Sequence, residues 1–140
     1  MFSANTYAAR RAELCRRIGK GVILLPGNMP SPNNYPNNAY YFRQDSTFLY
    51  FFGLNLPSMV GVIDAETGEA TLYGDDFTVE DIICTGPQPA VAELGAQVGV
   101  TKTAPLILPG TLGGAVAPSV DGRNSAMQRM YSKKVYILLL

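Results

Sequence analysis

Residues 59–73 read MVGVIDAETGEATLY, two β-prone runs around a glycine turn, and the class of fold follows from them. Met59 to Asp64 and Glu69 to Tyr73 are the runs, and Gly68 in Ala65-Glu66-Thr67-Gly68 supplies the positive φ that a short hairpin loop needs. Two antiparallel strands are expected. Upstream, Val22 to Leu25 is a wholly apolar, partly β-branched run ended by Pro26-Gly27, which reads as a buried strand. From Asn5 to Lys20, the residues Tyr7, Leu14, Cys15 and Ile18 recur at helical spacing, with Asn5 or Thr6 as N-cap and Gly19 or Gly21 as terminator. The expected fold class is α/β, a single domain over residues 1–140 with a mixed β-sheet flanked by helices.

Between these elements lies Tyr40–Leu54, YYFRQDSTFLYFFGL, where Arg43, Gln44 and Asp45 open onto a dense aromatic run. Asp45 or Ser46 can cap a two-turn helix carrying Phe48, Tyr50, Phe51 and Phe52, and Gly53 suits its left-handed C-terminal position. Pro26 to Ala39 holds four Pro and five Asn and is expected to be a long, mobile loop. Thr78-Val79-Glu80-Asp81 resembles a capping box ahead of Ile82 and Ile83, and Pro89 can open a helix with Val91, Leu94 and Val98. Leu106 to Leu108 is a candidate strand, Pro109 to Gly114 a loop and Ser125 to Tyr131 a short helix. Val135 to Leu140 is an apolar strand, expected either to be buried in the sheet or to continue into a longer chain.

The 140 residues are one domain's length, and 47% hydrophobic with 16% charged residues suits a globule with a real core. Eleven basic residues balance eleven acidic ones, so no global field recruits nucleic acid or an anionic membrane. Arg10, Arg11, Arg16, Arg17 and Lys20 cluster early, and the spacing predicts a solvated helix face. Cys15 and Cys84 form no paired motif, which fits a reducing cytosol and neither a disulfide framework nor a zinc site. No apolar run reaches the roughly 20 residues of a membrane helix, and no signal-peptide pattern opens the chain. A soluble cytoplasmic protein is expected.

The chain contains no histidine, which removes Ser-His-Asp and Cys-His catalysis and the commonest metal ligand. Neither a dinucleotide fingerprint nor a phosphate loop is present, and the glycines Gly110, Gly113 and Gly114 read as a turn. Asp75-Asp76 and Glu80-Asp81 could hold a hard cation through oxygen, but their spacing matches no calcium loop and favours caps and solvated acids. Cys15 is expected in the core.

Tyr7-Ala8-Ala9-Arg10-Arg11, GVILLPGN (21–28), YYFRQDSTFLYFFGLNLPSMVGVID (40–64) and EDIICTGPQP (80–89) together resemble the N-terminal domain of Xaa-Pro aminopeptidases. The resemblance runs in order from about Tyr7 to about Leu108. It implies a small non-catalytic α/β domain joined to a larger catalytic domain, where two metal ions, commonly manganese, activate the water that cleaves before proline. No metal ligand or cofactor is implied for this chain. It further implies a homo-oligomeric parent enzyme acting on peptides with proline second, this domain mediating subunit contacts and walling a neighbouring active site. Tyr41, Arg43, Gln44, Asp45, Phe48, Tyr50 and Cys84 are the candidates for that role. Arg43 and Asp45 either brace their own loop or pair across an interface. Cys84 stands where the family often has Trp, and the site is expected to pack internally. The alternatives are the equivalent domain of a prolidase or creatinase-like protein, a free-standing binding module, and an unrelated small α/β enzyme or ligand-binding domain.

Overall fold

The computed structural model describes residues 2–34, 38–79, 82–83, 86–106 and 135–137. Its elements run α1 (Ala4–Ile18), β1 (Val22–Pro26), α2 (Ser46–Phe52), β2 (Val60–Asp64), β3 (Ala70–Tyr73), α3 (Val91–Gln97), β4 (Lys102–Ala104) and β5 (Val135–Ile137). The sheet order is β4-β3-β2-β1-β5. β1–β2 and β2–β3 pair antiparallel, whereas β3–β4 and β1–β5 pair parallel, so the sheet is mixed.

The hairpin forms as its alternation requires. Gly61 faces Leu25 on one side and Leu72 on the other, and Ile63 lies opposite Ile23, so one face of the sheet carries a continuous apolar row. Ile23, Leu25, Ile63 and Leu72 are buried there in one core with Tyr7 and Cys15 of α1, Phe48, Phe51 and Phe52 of α2, and Val91 and Leu94 of α3. Gly61 has no side chain because the Phe52 ring occupies that space. Gly53 ends α2 at φ 69° with Tyr7 packed on its Cα, a position that excludes a Cβ both sterically and conformationally.

Several local expectations shift. The N-cap of α1 is Ser3, not Asn5 or Thr6, and Ser3 meets Thr6 through its carbonyl and hydroxyl rather than capping a backbone amide with its side chain. Pro89 precedes the Ala90 cap of α3 and lies outside the helix. Lys102–Ala104 pairs in register with Thr71–Tyr73 as a strand the sequence did not announce, and the strand expected at Leu106 to Leu108 lies, apart from Leu106, outside the described residues. Within the Pro/Asn segment, Asn33 N donates to Asn38 O and Tyr40 N to Ser31 O, residues 35–37 lie outside the described residues, and Pro26 is already part of β1. The Glu80-Asp81 half of the capping box, the turn at 109–114 and the helix at 125–131 lie outside the described residues.

Candidate functional site

The Arg43–Tyr50 segment divides into an interior half and an exterior half. Gln44 is 1% exposed. Its Oε1 accepts from the backbone N–H groups of Asn28 and Asp45, its Nε2 donates to Leu56 O at 2.7 Å, and its own N–H donates to Asn55 Oδ1 at 2.9 Å. One amide thereby ties three loops together. Asp45 Oδ1 accepts from Thr47 N at 2.8 Å and Phe48 N at 3.0 Å, the N-cap geometry that starts α2 and stabilises it by about 1 kcal/mol. Phe48 is fully buried and stacks on Phe52 with ring centroids 5.1 Å apart. Gln44 and Phe48 therefore brace the domain's interior and present no surface to a partner, and Asp45 is occupied as a cap.

Tyr41, Arg43 and Tyr50 form the exterior half. Tyr41 is 95% exposed. With Asn28, Met29, Ser31, Tyr40, Phe42 and Arg43 it lines an open groove of about 320 Å³. The loop-internal pairing of Arg43 with Asp45 does not form. Among the described residues the Arg43 guanidinium meets no carboxylate, and only its backbone carbonyl is held, by Asn28 Nδ2 at 3.0 Å.

Two arginines of α1 lie behind this segment, Arg10 against Tyr50 and Arg11 in the interior. Arg10 lies with its guanidinium 4.2 Å from the Tyr50 ring centroid, 5.0 Å from Phe2 and 5.7 Å from Tyr7, and donates to Tyr50 O at 2.9 Å. Arg11, only 3% exposed, donates to Phe51 O (2.9 Å), Val98 O (2.9 Å) and Gly99 O (3.0 Å). These carbonyls end α2 and follow α3, where helices leave acceptors unpaired and where the macrodipole favours a cation. Desolvation lowers the Arg11 pKa below its ordinary value. The reading of 10–20 as a solvated face thus holds for Arg16 and Arg17, which pair with Glu13, and fails for Arg11. The missed signal is spacing: Arg11 sits four residues after Tyr7 and four before Cys15, on the buried stripe.

The described residues assemble no group of three potential metal ligands. Asp76 Oδ1 accepts from Val91 N at 2.7 Å and Asp75 Oδ1 from Leu106 N at 2.9 Å, so both carboxylates hold the ends of α3 and β4 in place. Cys15 is buried, and desolvation raises its pKa away from the reactive range. Cys84 lies outside the described residues.

A mixed sheet and helices packed on one core define a small α/β domain. Residues 7–107 match the family model of the aminopeptidase P N-terminal domain, and the chain belongs to that family. It is 32% identical over 74 residues to human Xaa-Pro dipeptidase and 31% identical over 74 residues to the rat protein, covering 48% of this chain in each case. The chain spans 15% of the length of these curated relatives. Among solved structures it resembles the low-pH form of aminopeptidase P from E. coli, with a TM-score of 0.66 and 21% identity over 75% of this chain and 24% of that one. Pseudomonas aeruginosa aminopeptidase PepP gives a TM-score of 0.66 and 22% identity, over 74% and 24% respectively.

Proposed function

We propose that this chain is the non-catalytic N-terminal domain of an Xaa-Pro aminopeptidase, whose parent enzyme removes the residue preceding a proline and works as a cytoplasmic homo-oligomer. The family match over residues 7–107 carries this reading. The parent's expected pair of manganese ions does not fit the residues described here, since no three ligands converge and Asp75 and Asp76 are engaged with backbone amides. The metal chemistry belongs to another domain. The contribution of this one is shape: Tyr41, Arg43 and Tyr50 face outward on a segment pinned from behind by Gln44 and Asp45, suited to meeting a neighbouring subunit and walling its active site. A second reading, that the parent is an Xaa-Pro dipeptidase, is favoured by the curated relatives of that name.

The test is to capture the native protein from its source cells with antibody to this chain and assay it with manganese on an Xaa-Pro-Xaa tripeptide and an Xaa-Pro dipeptide. Release of the first residue from the tripeptide supports the first reading, and turnover of the dipeptide alone supports the second. An intact product that cleaves neither removes both.

A further inference from the structure

The geometry points to the groove between Met29, Tyr40, Tyr41 and Arg43 as a binding site for an extended peptide segment that carries an acidic side chain. This deepens the reading that the face meets a partner, on which it rests, by naming what the partner presents. Arg43 is exposed, and its guanidinium meets no carboxylate among the described residues. A planar fork of donors beside apolar surface matches a carboxylate on a chain lying against that surface. Tyr40, Tyr41 and Met29 are all large and mostly solvent-facing, so a bound chain covers apolar area that water now touches. The walls are preorganised. Asn28 Nδ2 holds Arg43 O, Tyr40 N donates to Ser31 O at 3.0 Å, and Gln44 N is fixed on Asn55, so little backbone ordering is required on binding. A partly open volume of about 320 Å³ has room for two or three residues of a bound chain.

The probe is a fluorescently labelled, C-amidated hexapeptide with a central Glu between Leu and Pro, compared with its Gln counterpart by anisotropy on the 140-residue chain. For an epitope of about 20 non-hydrogen atoms the Kd is expected on the order of 50 µM. Arg43→Gln should weaken the Glu peptide about tenfold without changing the Gln peptide, and Tyr41→Ala should weaken both. Both side chains are exposed, so circular dichroism should show unchanged folding. No binding up to 1 mM, equal affinity for the two peptides, or indifference to Arg43→Gln overturns the proposal. Because no catalytic domain takes part, failure here leaves the peptidase reading intact, and failure of the peptidase assay leaves the groove intact.

Discussion

Replacing Arg11 isolates the tie that holds two helix ends to α1. Arg11→Met keeps the apolar stem and removes the fork, leaving the buried carbonyls of Phe51 and Val98 without their donor. Each unsatisfied buried carbonyl costs about 1–3 kcal/mol. Against that, the variant no longer buries a cation with no carboxylate partner among the described residues, which recovers part of the desolvation cost. The net destabilisation is expected at about 2–4 kcal/mol, a large share of a domain's stability. Arg11→Lys sharpens the test, because it keeps the charge while a single ammonium on a flexible stem reaches one helix end and not both. It should be no more stable than the Met variant. Urea unfolding followed by circular dichroism reads both, with an unchanged m-value certifying that the unfolded reference is the same. A Lys variant within about 0.5 kcal/mol of the parent would refute the bridging role, since surface substitutions commonly fall in that band.

Asp45→Ala should cost about 1 kcal/mol by uncapping α2, and Asp45→Asn should recover most of it, as read by the same unfolding curves. Gly61→Ala drives a methyl into the Phe52 ring and should destabilise by about 1–3 kcal/mol, visible as a lower Tm in calorimetry; an unchanged Tm would mean that the ring does not cover the strand. The Glu13 carboxyl is held down to about 2, chiefly by hydrogen bonds from Arg16 and Arg17. Its small, solvent-screened contribution is therefore present above the ordinary value of 4.5 and lost as pH falls toward 2. A side-chain NMR titration of Glu13 with a midpoint in the ordinary carboxylate range would contradict the pairing.

Strand and helix identity were legible where one local rule acted alone. Gly68 between two alternating runs specified the hairpin, and Asp45 with Gly53 marked both ends of α2. Boundaries set by tertiary register were not. Lys102–Ala104 looks like a polar linker and becomes a strand only because β3 offers an open edge. Within the candidate segment, the sequence groups the exposed Tyr41 and Arg43 with the buried Gln44 and Phe48, because a contiguous motif does not show which side chains turn inward. Gln44 looks like a surface amide until Asn28, Asn55 and Leu56 surround it, partners that arrive from distant loops. Arg11 was hidden for a related reason: charge marks a residue as solvated, and only helical phase places it among Tyr7 and Cys15.

The chain belongs to the aminopeptidase P N-terminal domain family, and the proposal that it is the non-catalytic front of a larger peptidase is tested most directly by the size of the native product. An immunoblot of source cells with antibody to this chain, of mass 15.1 kDa, is expected to show a band several times larger. A sole band at 15.1 kDa would contradict it and leave a free-standing module whose groove, not a parent's active site, is the function to pursue.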